Sequence, residues 1–170
     1  MSTPTLTPGP SPRPRPALDA IDVGLVAALS ADGRQSNAAL ARAVGIAEST
    51  CADRVRGLRE RGVIRGIHAE IDPAAVGLGV EAMVALRFGG HHRAEIETFR
   101  DEIVEVPGVL AAYNTSGAND YLVHVAATGA DALRNLVLDH LANRPGVVHV
   151  ETSLIFEATR GRRPLTGPGR

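Results

Sequence analysis

The chain is poor in cysteine and contains no lysine at all. Its 170 residues include one cysteine, Cys51, and its 18 Lys and Arg residues are all arginine. One cysteine cannot form an internal disulfide or build a cysteine-based metal site, so the composition gives no sign of an oxidising compartment. We therefore expect a protein of the reduced cytoplasm that holds no metal and no other cofactor.

Long apolar segments are also lacking. No window approaches the roughly 20 consecutive apolar residues that a membrane-spanning helix needs. Residues 1–16 contain prolines and no apolar core of a signal peptide. We therefore expect an unexported protein without a membrane partner. We also expect a disordered Pro-rich arm over residues 1–17 and a flexible tail over residues 159–170, because neither end can bury enough apolar surface to offset the entropy of ordering.

The charge is close to balanced but unevenly distributed. The formal net charge is -1, and 44% apolar with 22% charged residues is ordinary for a globular protein. Five arginines nevertheless fall between Arg54 and Arg65. The net charge therefore does not argue against a nucleic-acid partner.

The first half of the chain has the spacing of three short helices. The first begins at Asp19, whose carboxylate can cap free N–H groups, and Gly33 stops it. The second begins at Ser36 and ends at a sharp turn at Gly45, and the third runs from about residue 48 to residue 61 before Gly62. The residues expected to face inward are Ile21, Leu25, Leu29, Leu40, Ala41, Val44, Cys51, Val55 and Leu58.

The second and third of these helices predict a helix-turn-helix. In this motif the second helix enters the major groove of DNA, and its N-terminal side chains reach the base edges. The residues predicted to face the bases are Ser49, Thr50, Asp53 and Arg54, and those predicted to meet phosphates or form surface ion pairs are Arg56, Arg59 and Arg61. The alternative is that this arginine-rich face is simply solvated. We assign residues 18–66 to this domain.

Residues 63–71 alternate apolar with polar positions. Such alternation predicts a short strand or wing that closes the first domain, ended by Asp72-Pro73. We expect residues 67–79 to form a linker strand or hinge between two domains.

The second half, over residues 80–158, reads as a duplicated βαβ unit. Two helix-like stretches each end in Pro-Gly-Val and lead into an apolar run, at residues 107–109 and 145–147. Two such halves predict an α+β, ferredoxin-like βαββαβ domain with both helices on one face of a four-stranded antiparallel sheet. One sheet face would then be open, and a second subunit is its expected cover. The predicted elements are strands 80–88, 109–115, 121–128 and 147–156, and helices 93–106 and 131–143.

These motifs together resemble the Lrp/AsnC (leucine-responsive/asparagine regulator, feast/famine) transcription factors. The resemblance covers about residues 18–158. In the first half it is carried by Leu18-Asp19-Ala20-Ile21-Asp22, Asp32-Gly33-Arg34-Gln35-Ser36-Asn37, Leu40-Ala41, Val44-Gly45, Cys51-Ala52-Asp53-Arg54-Val55 and Gly62-Val63-Ile64. In the second half it is carried by the two Pro-Gly-Val motifs, Ser116-Gly117, Asp120-Tyr121-Leu122 and Thr152.

The resemblance implies a transcription regulator, not an enzyme. It implies double-stranded DNA as a partner, a homodimer formed through the C-terminal sheets, assembly up to a tetramer of dimers, and an amino-acid effector near the turn between the second and third strands. Carried onto this chain, Asp120 would hold the effector's ammonium group and backbone donors around Gly117 its carboxylate. The full predicted set is Ser116, Gly117, Ala118, Asn119, Asp120 and Tyr121. The alternative is a turn that only reverses the chain.

The sequence departs from the family pattern at two positions. Asn119 stands where many relatives have an aromatic residue, which predicts a more polar or empty effector pocket. Ala47 replaces the usual serine before the third helix and removes a cap worth about 1 kcal/mol unless Ser49 substitutes for it.

Two other functions fit parts of the sequence. One is a non-specific, architectural DNA-coating protein, and the other is a ferredoxin-like metabolite-binding protein or enzyme. An enzyme needs a base, nucleophile or metal constellation, and the sequence shows none. We predict that Cys51 is a buried, inert thiol and that the adjacent His91 and His92 are exposed loop residues.

Overall fold

The computed structural model describes residues 18–90 and 93–159. The predictions for the arm at residues 1–17, for the tail from residue 160 onward and for His91 and His92 lie outside the described residues. The chain divides into two compact units between Ala69 and Glu70. Each unit is described by itself.

The first unit consists of three helices, α1 (Ala20–Ala31), α2 (Asn37–Val44) and α3 (Glu48–Glu60). The Asp22 backbone N–H donates to the side chain of Asp19 over 2.8 Å, and the Ala39 N–H donates to the Ser36 hydroxyl over 3.2 Å. Gly45 ends α2 with a φ of 72°, a conformation that favours glycine. The predicted starts of α1 and α2 and the turn before α3 are therefore confirmed, while α1 ends two residues before Gly33.

A small apolar core holds these helices together. Leu25, Leu40, Cys51 and Leu58 are at most 1% exposed. Partly buried residues complete this core, and they are Ile21, Val26, Ala28, Leu29, Val44, Ile46, Val63 and Ile64. The inward-facing residues predicted from the helical spacing are the ones that pack here, so the prediction of the core is confirmed.

The predicted strand over residues 63–71 is wrong. This segment forms turns and irregular backbone instead. The N–H groups of Val63 and Ile64 both donate to the carbonyl of Leu58, over 2.9 and 3.1 Å, so the segment folds back on the end of α3. Farther along, Ile67 and Ile71 are exposed. Alternation makes a strand only where a neighbouring strand pairs with it, and no described residues pair with this segment.

The second unit has the order β1 (Val80–Phe88), α4 (Arg93–Ile103), β2 (Val109–Asn114), β3 (Tyr121–Ala127), α5 (Ala130–Leu136) and β4 (Val147–Ile155). A short 3₁₀ turn, Ala74–Val76, precedes it. The strands form one antiparallel sheet in the order β2-β3-β1-β4, in which Val84 pairs with Val123 on one side and Thr152 on the other. The predicted α+β, ferredoxin-like βαββαβ arrangement is confirmed. The second predicted helix differs in one respect, because α5 continues as a π-helix over Val137–Ala142.

Both helices cover the same face of this sheet. Alternate β1 residues, Ala82, Val84, Leu86 and Phe88, are buried against them. The helical partners in this core include Phe99, Ile103, Leu133, Val137 and Leu141. Neither described helix of this unit lies over the opposite sheet face, as predicted.

We call that opposite surface the open sheet face, and it comprises alternate residues of the strands. From β1 it carries Glu81, Met83, Ala85 and Arg87, of which the first three are half-buried. Tyr113 of β2 is exposed on the same face, where it pairs with Leu122 of β3. His124 of β3 lies 2.8 Å from the Glu81 carboxylate. The face therefore mixes apolar side chains with a small polar pair.

No helix among residues 18–90 and 93–159 is long and apolar enough to cross a membrane. Over the same residues, no three or more His, Cys, Asp or Glu side chains cluster closely enough to hold a metal ion.

Candidate DNA-recognition helix and effector-binding turn

Helix α3 is held against α1 and α2 by one apolar face. Cys51, Val55 and Leu58, at intervals of three and four residues, are buried in the core of the first unit. Burial raises the pKa of the Cys51 thiol above its usual value of 9.0, so the group is protonated at neutral pH. This supports the interpretation of Cys51 as an inert core residue. Most of the other α3 residues are exposed.

The exposed side of α3 carries most of the predicted DNA-contacting residues. Ser49, Thr50, Asp53, Arg56 and Arg59 are all exposed. The Arg56 guanidinium forms an ion pair with Asp53, one turn earlier on the helix. The side chains expected to read bases thus lie in the first two turns, where the N-terminal end of a recognition helix meets a groove.

The start of α3 has no side-chain cap. Its N-cap residue, Ala47, supplies no hydrogen bond from its side chain. The structure shows no hydrogen bond by which Ser49 would replace the missing cap. The first backbone N–H groups of a helix have no partner within the helix, so here they are left to solvent or to a ligand.

Arg54, which was predicted to face the bases, forms ion pairs with two acids near the start of the chain's first helix. Its Nη1 atom is 2.6 Å from Asp19 Oδ2 and 3.0 Å from Asp22 Oδ1, so the guanidinium is tied to α1. The capping hydrogen bond from the Asp22 N–H, followed by the hydrogen bond from Arg54, holds the pKa of Asp19 below its usual 3.8. In this structure Arg54 is therefore paired within the domain.

Arg61 is held in the same way. Its Nη2 atom lies 2.8 Å from Asp22 Oδ2, and Asp22 is only 4% exposed. Arg61 was predicted to meet phosphates or to form surface ion pairs, and the structure shows such a pair. No role was predicted for Asp22, although a carboxylate next to the apolar stripe at Ile21 and Leu25 was a signal that it meets a cation in the fold.

The turn between β2 and β3 is closed by its own hydrogen bonds. The Thr115 N–H donates to the carbonyl of Asp120 over 2.9 Å, and the Thr115 hydroxyl donates to the carbonyl of Asn119 over 2.7 Å. Between them, Ser116, Gly117 and Ala118 are exposed. Gly117 has a φ of 125°, and an added Cβ would meet no atom within 4 Å. The tip of the turn is therefore open to a small molecule.

Asp120 connects this turn to the neighbouring strand β1. Its N–H donates to the carbonyl of Leu86 over 2.8 Å, and its Oδ2 atom accepts from the Phe88 N–H over 2.7 Å. One carboxylate oxygen is thus occupied by the fold. The other, Oδ1, is the oxygen that would hold an ammonium group.

Tyr121 is a core residue. It is 3% exposed, and its ring centroid lies 4.9 Å from that of Phe99 and 6.2 Å from that of Phe88. Burial raises the pKa of its hydroxyl above 10.0. The ring of Tyr121, which was predicted to contact an effector, is thus packed against aromatic residues of the core.

The second unit also contains a hollow that was not predicted from the sequence. It measures about 290 Å³ and is lined by Glu95, Thr98, Phe99, Arg144 and Pro145. Arg144 donates to the carbonyl of His140 over 2.9 Å and forms an ion pair with Glu102. The hollow therefore has charged groups of both signs, Glu95 and Arg144, beside the apolar ring of Phe99.

The two units each match a known family of domains. Residues 18–59 match the AsnC-type helix-turn-helix domain, and residues 81–165 match the Lrp/AsnC ligand binding domain. The chain is 46% identical over 148 residues to the HTH-type transcriptional regulator AldR of Mycolicibacterium smegmatis, covering 87% of this chain and 86% of that protein. It is 43% identical over 152 residues to AldR of Mycobacterium tuberculosis, covering 89% and 85%.

Solved structures agree with this match. The crystal structure of MtbAldR superimposes with a TM-score of 0.74 at 39% identity, covering 86% of this chain and all of that one. That of a Neisseria meningitidis transcriptional regulator in complex with L-Met gives a TM-score of 0.78 at 27% identity, covering 88% and 97%. The relatives are transcriptional regulators and not enzymes, and both halves of the chain match. The chain belongs to the Lrp/AsnC family of DNA-binding transcriptional regulators.

Proposed function

We propose that the protein reads a specific DNA sequence in the cytoplasm through the exposed side of α3. Ser49, Thr50 and Asp53 face the base edges, and Arg56 and Arg59 face the phosphates. The observation that carries this proposal is the exposure of these five side chains on the helix that follows the Gly45 turn. Arg54 and Arg61 are left out because both are paired with acids of α1.

The proposed protein is a homodimer formed through the open sheet face. Exposed Tyr113 beside half-buried Leu122, Met83 and Ala85 gives this face an apolar centre that a second copy would cover. A two-fold symmetric dimer presents two copies of α3, which fit half-sites one or more helical turns apart. Further association into a tetramer of dimers is part of the same proposal.

The proposed effector is an amino acid bound at the tip of the β2–β3 turn. Exposed backbone around Gly117 would meet its carboxylate, and the second oxygen of Asp120 its ammonium group. Asn119, which is half-buried beside them, would give the site a polar wall. The match to a ligand binding domain and the relative solved with L-Met support this class of effector.

The DNA proposal is tested with a selected duplex and a random duplex. Thr50→Ala should weaken binding to the selected duplex by about 1–3 kcal/mol, the range for one good base contact, and leave random binding nearly unchanged. Arg59→Ala should weaken both and make the slope of log K against log salt shallower by about 0.9. Equal losses for both duplexes in both variants would contradict this division, and equal wild-type affinity for both would favour the architectural alternative.

The effector proposal is tested by calorimetry with the twenty amino acids. At least one should release or absorb heat with the wild type, and Asp120→Asn should abolish that signal while Arg144→Gln retains it. Loss of the signal in Arg144→Gln and its retention in Asp120→Asn would place the effector in the hollow beside Arg144. Absence of any heat with the wild type, together with no thermal stabilisation, would refute an amino-acid effector.

A further inference from the structure

The carboxylate of Asp22 joins Arg54 of α3 to Arg61, the C-cap residue that follows this helix. Its Oδ1 atom is 3.0 Å from Arg54 Nη1, and its Oδ2 atom is 2.8 Å from Arg61 Nη2. Of the charged residues that the structure describes, Asp22 is the one that is buried. We propose that Asp22 is a positioning residue that sets the orientation of the recognition helix and keeps two of its arginines off the DNA backbone.

The geometry restricts how α3 can move. Arg54 and Arg61 are seven residues apart, which is about two helical turns and about 10 Å along the axis. A carboxylate that bonds both ends of this span opposes rotation of α3 about its axis and sliding along α1. The apolar core beneath, with Leu25 and Leu58 at its centre, also restrains these two motions, and the ion pairs add a directional restraint at each end of the span. The orientation of Ser49 and Thr50 toward a groove thus depends in part on Asp22.

The charge balance has a second consequence. Arg54 and Arg61 bring two positive charges, and Asp19 and Asp22 bring two negative charges at hydrogen-bonding distance. Arginines that touch phosphates raise affinity for every sequence alike. Withdrawing two of them lowers affinity for every duplex without changing base contacts. The ion pairs therefore reduce the part of the binding energy that does not depend on sequence.

This inference rests on DNA binding by α3, and Asp22→Asn tests it. The side chain keeps its size and loses its charge. Arg61 loses its ion pair with Asp22 and keeps its hydrogen bond to the Gly57 carbonyl, while Arg54 keeps Asp19. We expect affinity for the selected duplex to fall by at least about fivefold, the factor for one good base contact. Affinity for random duplex should not fall, and its salt slope should steepen by up to about 0.9, because the Asp22 charge that balances Arg61 is removed.

Three matched variants give the controls. Asp19→Asn keeps the helix cap, since Asn caps as well as Asp, and leaves both arginines on Asp22, so its discrimination should stay near that of the wild type. Adding Arg61→Gln to Asp22→Asn should return the random-duplex slope to the wild-type value. A purely structural defect would not be reversed by removing an arginine.

Stability is followed in parallel by thermal melting. If Asp22→Asn does not fold, the single variant Arg61→Gln decides the question. Positioning predicts weaker binding to the selected duplex with an unchanged salt slope, whereas a direct phosphate contact predicts a slope shallower by about 0.9 on both duplexes.

Several results would overturn the inference. They are wild-type discrimination in Asp22→Asn, equal losses on both duplexes in that variant, or the shallower slope in Arg61→Gln. A wild type that binds neither duplex would instead refute DNA binding by α3, and the inference would fall with it. The two failures are therefore distinguishable.

Discussion

The clearest test of the β2–β3 turn is the substitution Asp120→Ala. The Asp120 carboxylate accepts a 2.7 Å hydrogen bond from the N–H of Phe88, a residue that is 7% exposed. Removing the acceptor leaves this N–H without its partner in a site where water has little access. A hydrogen bond to a charged group contributes about 1.5–3 kcal/mol. We expect the free energy of unfolding of the second unit to fall by that amount.

Asp120→Asn gives the intermediate case. Its amide oxygen still accepts from the Phe88 N–H, but as a neutral group, whose hydrogen bond contributes about 0.5–1.5 kcal/mol. We therefore expect a loss of about 1 kcal/mol. Ser116→Ala is the matched control, because this serine is exposed in the same turn and a surface substitution usually changes stability by less than about 0.5 kcal/mol.

Tyrosine fluorescence during urea denaturation measures this effect in the right unit. The chain has two tyrosines and no tryptophan, and both tyrosines, Tyr113 and Tyr121, lie in the second unit. The signal therefore reports that unit even if the first unfolds separately. Equal stability of Asp120→Ala and Ser116→Ala would refute the structural role that we assign to the carboxylate.

Three further predictions concern the backbone, the thiol and the capping acid. Gly108 and Gly77 have φ values of 89° and 88°, so substitution by Ala at either position should lower stability by about 1–2 kcal/mol. At Gly108 the new Cβ would also lie 2.7 Å from a backbone oxygen, which adds about 1–3 kcal/mol to the loss. Equal losses for the two variants in denaturant titrations would contradict this difference. Cys51 should react with a thiol reagent at neutral pH only after unfolding, and rapid labelling of native protein would disprove its burial. Because the pKa of Cys51 is raised above 9.0, the stability of the protein should decline as the pH rises beyond that value. The pKa of Asp19 is lowered from 3.8, so its contribution to stability is complete above pH 3.8 and is lost as the pH falls through the lowered pKa. Melting curves of Asp19→Asn should therefore depend less on acid pH than those of the wild type. The same acid dependence in both proteins would contradict the pairing with Arg54.

Local signals in the sequence predicted the helices well. The caps at Asp19 and Ser36 and the left-handed glycine at Gly45 act within a few residues, so their effect can be read without knowing the fold. The strands of the second unit were predicted because their alternation coincides with true partners in the sheet. Residues 63–71 show the same alternation without a partner, and the pattern alone cannot distinguish the two cases.

Contacts between distant side chains could not be predicted in this way. Arg54 was assigned to DNA because it lies on the recognition helix, but its partners Asp19 and Asp22 are 35 and 32 residues away. Tyr121 was assigned to the effector site because it adjoins the turn. The sequence does not tell which side of the strand faces the helices until the sheet register is known. In both cases the three-dimensional packing decides the role.

The central claim is tested most directly in two steps. The full chain selects duplexes from a random library, and the affinity of Thr50→Ala for the enriched sequence is then measured. The account predicts enrichment of a site with two-fold symmetry and half-sites spaced by whole helical turns. It also predicts that Thr50→Ala loses preference for this site and keeps its affinity for random duplex. No enrichment at moderate salt, or an undiminished preference in the variant, would contradict recognition of DNA by α3.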